Sequence, residues 1–284
     1  MQSVKTLEII TKRGFRLHAF INDAITREIQ KKGEYDANTL DSLSDILAFI
    51  KPSISLDVGA NIGNHAMVIA SFSRRVIAFE PIKFIFDVLE INKNANALNH
   101  LEVVNVGLSN SHALSDICVP NNGNFGSSSL EIKPDHGTLL SIKTVVGDDF
   151  LEAKMINDHV DFIKMDVEGH ETFALLGLKK TILRDQPLIL LEWKSEQTIA
   201  QFKEFDLFNH LFTGYSFHAL TYTTNKKIHE NNFKGFFTRI FYRLKGKRWC
   251  LTRFDATKKY TNVYFVPARF KSKVQNFIEF TQKV

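Results

Sequence analysis

The chain has 284 residues, 44% of them hydrophobic, and carries 36 Lys and Arg against 31 Asp and Glu, a formal net charge of +5. That composition supports a sizeable core in one large α/β domain with additions or in two small domains. No run of 18 uncharged apolar residues exists and Met1-Gln2-Ser3-Val4-Lys5 lacks a secretory pattern, so neither a spanning helix nor a leader is expected.

Six cations (Lys234, Arg239, Arg243, Lys245, Lys247 and Arg248) crowd residues 233–249 with no acid among them. The remainder therefore carries about −1 (+5 less +6), and global basicity does not argue for nucleic acid. Cys118 and Cys250 are far apart and match no metal spacing, which reads as reduced thiols in a cytoplasmic protein.

In chain order, residues 4–30 read as a strand-rich cap, with strands at Thr6–Thr11 and Phe15–Ile21. Residues 36–51 read as a helix with Leu40, Leu43, Ile46, Leu47 and Ile50 on one face, stopped by Pro52. The cap so defined is 1–51, and a main domain is expected over 52–284. Ile54, Leu56 and Val58 then carry a strand into Gly59-Ala60-Asn61-Ile62-Gly63, followed by a helix to about Ser73.

A strand, a glycine turn and a helix start make a small-molecule cradle. The spacing Gly59-x-x-x-Gly63 is not the dinucleotide fingerprint. Asp57 at the strand's end suits a ligand ammonium and repels a pyrophosphate, so a ligand with an amino-acid end and no phosphate is expected, as S-adenosylmethionine is. A second strand, 75–80, ends in Glu80-Pro81, seventeen positions beyond Gly63 (80 − 63). A carboxylate there is placed to accept both ribose hydroxyls.

A helix at Phe84–Leu98 and a strand at Leu101–Val106, with Asn105 near its tip, come next. Residues 109–150 break into short segments separated by Pro, Asn, Gly and Ser, which read as added antiparallel strands around a loop at 121–129. A fourth main strand, Val160–Met165, ends in Asp166-Val167-Glu168-Gly169-His170-Glu171, before a helix to about Leu183. A fifth, Leu188–Leu191, ends in Glu192-Trp193. Thr198–Phe212 reads as a helix, and Tyr215–Tyr222 with Tyr260–Val266 as a closing antiparallel pair. A basic aromatic insertion lies between them, at about 226–258.

Strands alternating with helices predict a largely parallel sheet. Acids end four of the five strands: Asp57, Glu80, Asp166 and Glu192. Ligands of open α/β sheets bind outside those carboxyl ends, and so many uncompensated charges on one edge imply a ligand.

Leu56-Asp57-Val58-Gly59-Ala60-Asn61-Ile62-Gly63, Phe79-Glu80-Pro81, Phe162-Ile163-Lys164-Met165-Asp166-Val167-Glu168-Gly169-His170-Glu171 and Leu191-Glu192 resemble, in order, the signature blocks of FkbM-family methyltransferases. Weaker similarity reaches Gly126–Leu130 and Asp148-Asp149, and the whole covers about 30–195. The resemblance implies a Rossmann-like methyltransferase fold. In this chain that means a mostly parallel seven-stranded sheet with antiparallel additions and an N-terminal cap. It also implies S-adenosylmethionine as methyl donor and O-methylation of a sugar, glycan or secondary-metabolite hydroxyl. Substrate choice falls to the cap and to the region beyond about residue 200, where little family pattern remains.

The expected cofactor residues are Asp57, Gly59, Asn61, Gly63, Glu80, Asn105 and Asp166. Methyl transfer to a hydroxyl needs alignment and removal of a proton, for which Asp166, Glu168 and His170 are the candidates. Asp166, Glu168 and Glu192 also offer the oxygen ligands a divalent cation takes, but no metal is expected. The chain has Asp-Val-Glu-Gly where methyltransferases of exocyclic base amines typically have Asn- or Asp-Pro-Pro-aromatic, and it has no Pro-Cys nucleophile. Both favour oxygen as acceptor over a nucleobase, so nucleic acid is not the expected partner. Segment 233–249 is either a solvated surface helix or a contact for an anionic membrane surface or lipid-linked acceptor. The other readings of the chain are a non-catalytic scaffold that kept the cofactor fold and, behind it, an RNA methyltransferase.

Overall fold

Fully apolar strands flanked by amphipathic helices can bury both faces only as the middle layer of a three-layer α/β sandwich, and that is the observed architecture. The computed structural model describes residues 5–21, 23–121, 125–131, 137–156, 158–222 and 249–278. The strands β1 (Thr6–Ile10) and β2 (Arg16–Phe20) form an antiparallel hairpin. Helices α1 (Ala24–Lys32) and α2 (Ala37–Ile50) follow. Next come β3 (Ile54–Val58), α3 (Asn64–Ala70), β4 (Arg75–Phe79), α4 (Lys83–Ala95) and β5 (Leu101–Val104). A separate small sheet is built from β6 (Gly107–Ser109), β7 (Ala113–Pro120) and β8 (Gly137–Val146). The chain returns through α5 (Gly147–Ala153), β9 (Val160–Met165), α6 (Glu171–Gly177), α7 (Lys179–Asp185) and β10 (Leu188–Trp193). It closes with α8 (Glu196–Glu204), α9 (Leu207–His210), β11 (Ser216–Tyr222), β12 (Trp249–Arg253) and β13 (Tyr260–Val266).

The main sheet runs β12-β11-β13-β10-β9-β3-β4-β5. Pairing is parallel from β10 to β5 and antiparallel from β10 outward. From β3 the chain moves outward to β4 and β5, then returns to the other side of β3 as β9 and β10. That reversal between β3 and β9 is a topological switch point, where loops diverge and leave a crevice. Alternation sorts side chains onto the two faces. Leu40, Leu43, Ile46 and Leu47 of α2 pack with Val76, Ala78 and Phe162 on one face, while Leu175, Leu178 and Ile182 pack with Ile77, Phe79 and Ile163 on the other. Each such burial contributes about 1.5–3 kcal/mol.

Several expectations need correction. The cap is not strand-rich to residue 30, because α1 begins at 24. Asp23 is its N-cap, accepting from the Ile25 N–H at 2.8 Å, and Gly33 with φ +83° ends it. The helix expected to about Leu183 is split at Leu178 into α6 and α7. Within the insertion β7 and β8 pair antiparallel as expected, and β6, which precedes it, adds parallel to β8. Residues 128–131 form no strand, and Ser129 makes an isolated bridge to Cys118. The main sheet holds eight strands, the extra one being β12 at its edge, where Trp249 Nε1 donates to Asp45 at 3.1 Å. The basic stretch 233–248 lies outside the described residues. Among the described residues no helix is long and apolar enough to cross a membrane.

The cap is tied down by charge. Arg13 in the hairpin turn pairs with Glu34 at 2.9 Å, donates to Ser44 at 3.0 Å and also pairs with Asp41. Asp23 does double duty, its second oxygen accepting from the Phe125 N–H at 3.2 Å. Asp23→Ala removes both bonds, and the expected loss is about 1 kcal/mol. Urea denaturation should show a lower midpoint at unchanged slope; an unchanged midpoint contradicts this role.

Candidate functional site

The strand-to-helix turn after β3 exists because Gly59 permits it. Gly59 has φ +79°, and a Cβ there would lie 1.9 Å from the Asp166 carbonyl oxygen. The two loops at the switch point therefore touch backbone to backbone. Gly63, φ +94°, stands behind the turn, where a Cβ would meet Leu89 Cδ1 at 2.6 Å. The turn, the strand tips, α1 and the 125–130 loop enclose a cavity of about 410 Å³. That volume is in the range of small-molecule sites, about 300–1,000 Å³.

Of the sequence-derived cofactor candidates, Gly59, Asn61, Glu80 and Asp166 line this cavity. Glu80 is buried, and its carboxylate accepts from the Asn61 N–H at 3.0 Å and the Ile82 N–H at 2.9 Å. Burial pushes its carboxyl up to about 7 against those two donors. Each of its oxygens keeps a further lone pair.

Asp57, Gly63 and Asn105 do not line the cavity. Asn105 instead braces the loop after β4, its amide donating to the carbonyls of Glu80 and Pro81, both at 2.9 Å. Asp57 is wholly buried and lies 3.5 Å from Lys164 Nζ, an ion-pair distance rather than a hydrogen bond. The expectation that it faces the turn to meet a ligand is corrected by this pairing.

Lys164 is the site residue that sequence reasoning missed. Its side chain is 5% exposed, in a strand otherwise apolar on that face. Asp57 and Lys164 are register partners on β3 and β9, so the pairing is a cross-strand contact. The ammonium also lies 3.5 Å from Asp166 and donates to the Gly59 carbonyl at 3.1 Å. Burial disfavours its charge, but Asp57, Asp166 and Glu192 outweigh that and push its pKa above the usual lysine value. A buried lysine in a central strand is itself a sequence signal, because lysine is almost never buried unpaired.

Beyond Asp166 the charges continue outward. Carboxylate oxygens of Asp166, Glu168 and Glu192 all lie within 4.8 Å of one another. Lys194, also missed, pairs closely with Glu192 and lies 3.4 Å from Glu168. Lys194 thus offsets part of the charge on this carboxylate group. Burial opposes ionisation of Asp166, yet Lys164, Lys194 and His65 together hold it below the ordinary range. Burial and then the Asp166 charge raise Glu168 to about 7. Burial, Asp166 and Glu168 raise Glu192 to about 10.

His170 is buried at the cavity wall with both ring nitrogens engaged. Nδ1 lies 2.7 Å from Glu131 and Nε2 lies 3.0 Å from Ser109 Oγ. Neither nitrogen is left to take a proton from a ligand. The turn itself is buttressed by Glu171, which accepts from the N–H groups of Val167 at 3.1 Å and Gly169 at 3.2 Å. Tyr35 and His65 complete the polar wall. Ile25, Ile82, Ile85, Ile117, Phe125 and Leu130 make the apolar one.

The chain matches the profile of the Methyltransferase FkbM domain over residues 57–221. Among solved structures it is similar to a methyltransferase FkbM from Methylobacillus flagellatus KT, at 19% identity and TM-score 0.43, covering 76% of this chain and 44% of that one. It thus spans less than half of that protein's length. An O-methyltransferase from Bacillus cereus in complex with SAH matches at 11% identity and TM-score 0.46, over 86% of this chain and 90% of that one. An rRNA methylase from Streptococcus thermophilus matches at 12% identity and TM-score 0.41, over 79% and 92%. No curated protein matches the chain.

Removing the Lys164 ammonium leaves the buried Asp57 carboxyl without its ion-pair partner. Lys164→Met should therefore destabilise the fold by about 3–5 kcal/mol. The double variant Asp57→Asn, Lys164→Met should recover a large part of that. Equal thermal midpoints for wild type and Lys164→Met contradict the pairing.

Proposed function

The chain belongs to the FkbM methyltransferase family, and on that premise we propose an S-adenosylmethionine-dependent O-methyltransferase acting on a hydroxyl of a sugar, glycan or secondary metabolite. The observation that carries the reading is one cavity wall on which Glu80, after β4, converges with Asp166 and Glu168, after β9. The main domain, 52–284, supplies that wall, and the cap, 1–51, supplies the acceptor side. Cys118 and Cys250 are buried and form no disulfide, which suits a reducing compartment such as the cytoplasm.

When bound, S-adenosylmethionine supplies an electrophilic methyl group on a sulfonium. Glu80 has lone pairs to accept two ribose hydroxyls, beside the Gly59–Asn61 turn. Asp166, kept ionised by Lys164, is suited to the ammonium of the amino-acid end. The apolar wall excludes water around the reacting atoms. An acceptor hydroxyl must lose its proton as its oxygen attacks, and Glu168 is the group tuned for this. A carboxyl midpoint near 7 combines a useful ionised fraction with real basicity. Asp166 is a weaker base, and His170 is already committed to Glu131 and Ser109.

The electrostatics favour a small acceptor over a nucleic acid. Among the described residues on the wall, the Lys and Arg side chains are Lys164 and Lys194, and carboxylates hold both. A phosphate backbone needs unpaired cations.

The test is methyl-labelled S-adenosylmethionine incubated with the protein and fractionated cell extract, beside a panel of methyl glycosides. Label should enter hydroxyl-bearing small molecules or glycans. Glu168→Gln should lower the rate by about 10²–10⁴-fold, and Asp166→Asn should raise KM for S-adenosylmethionine. The wild-type rate should rise with pH to a plateau above about 7, because only the ionised Glu168 accepts a proton. Label confined to RNA, or a flat profile from about pH 5.5 to 8.5, contradicts the reading.

A further inference from the structure

The turn that carries Glu168 is held in a conformation its residues do not prefer. Glu168 has φ +52° and Gly169 φ +104°. A non-glycine residue in the left-handed region costs about 1–3 kcal/mol unless its surroundings enforce it. Glu171 holds the turn from within, through its bonds to Val167 and Gly169. A second set of contacts comes from far away in sequence, out of the connection between β7 and β8.

Ser129 Oγ donates to the Glu168 carbonyl at 2.6 Å and accepts from the Glu131 N–H at 3.1 Å. Glu131 holds His170 Nδ1 with one oxygen, and its other accepts from Gln197 of α8 at 2.6 Å. His170 in turn reaches Ser109 of β6. Ser129 is itself pinned to β7 by the paired backbone bonds with Cys118, at 3.0 and 3.2 Å. Each contact grips the turn from the small sheet or from α8, and none uses the carboxylate of Glu168.

We propose that Ser129 and Glu131 are positioning residues for methyl transfer, forming a clamp by which the inserted sheet fixes the Glu168–His170 turn. The inference rests on the reading of Glu168 as the base. The neighbouring residues Gly126, Ser127, Ser128 and Leu130 line the cavity, so one short segment both contacts the bound molecules and sets the base. Filling the cavity against that segment and seating Glu168 become a single event.

The clamp is tested in the full-length protein by hydrogen–deuterium exchange, comparing a peptide over residues 166–172 with one over 54–70. Ser129→Ala and Glu131→Ala should speed exchange over 166–172 by about tenfold and leave 54–70 unchanged, as expected when one local unit loosens. Glu131→Gln, which keeps an oxygen for His170, should stay within about twofold of wild type on the same scale. In labelled transfer to the extract fraction that wild type methylates, the two alanine variants should lower kcat about tenfold at unchanged KM for S-adenosylmethionine, because misplacement by an ångström weakens alignment. Unchanged exchange over 166–172, or an equal rise over 54–70, overturns the clamp. Faster exchange with unaltered kcat overturns the positioning role, and Glu168→Gln assayed alongside reports separately on the base, since unaltered kcat in that variant overturns Glu168 alone.

Discussion

A single buried ammonium organises this molecule. Lys164 lies between Asp57 and Asp166 and donates to the Gly59 carbonyl. It therefore touches both loops that diverge at the switch point. The pairing is not a source of net stability, since a buried ion pair roughly balances desolvation against attraction. Its effect is positional. The ammonium has its lowest energy only where β3 and β9 are in register and the glycine turn packs against the Asp166 carbonyl, so register and turn are set together.

The carboxylates around the cavity are graded in turn, beginning with the one beside Lys164. Asp166, nearest Lys164, is held low, Glu168 sits near 7, and Glu192 is raised to about 10. Three carboxylates whose nearest oxygens lie within 4.8 Å cannot all ionise freely: Lys164 holds Asp166 low, while burial and the charge of its neighbours raise Glu168 and Glu192 even against Lys194. Separation of like groups into different protonation states is what acid–base chemistry at neutral pH requires.

The parallel core was legible because its signals are local. β3, β4 and β9 follow from short apolar runs, and their tips from the acids that end them. The Gly59 turn and the Glu80-Pro81 strand end were readable for the same reason. The α1 helix was hidden because its N-cap, Asp23, follows a strand closely, and β12, Trp249–Arg253, because it falls within the stretch 226–258 that reads as a basic aromatic insertion. Asp57 was placed at the ligand because its partner is 107 residues away (164 − 57). Asn105 at a strand tip and Gly63 in the motif read as cofactor residues, whereas Asn105 hydrogen-bonds the Glu80 loop and Gly63 leaves room beside Leu89. Lys194 and Glu131 carry no periodic or motif signal; each acquires meaning only when β10 and the insertion fold against the turn.

The central claim is that this charge-ordered crevice is a cofactor site. Calorimetric titration of S-adenosylmethionine into the folded protein tests it most directly, with Glu80→Ala alongside. The account predicts one site of micromolar affinity, weakened in Glu80→Ala by about 1.5–3 kcal/mol as the ribose hydroxyls lose a charged acceptor. Absence of binding to the folded wild-type protein, or equal affinity in Glu80→Ala, contradicts it.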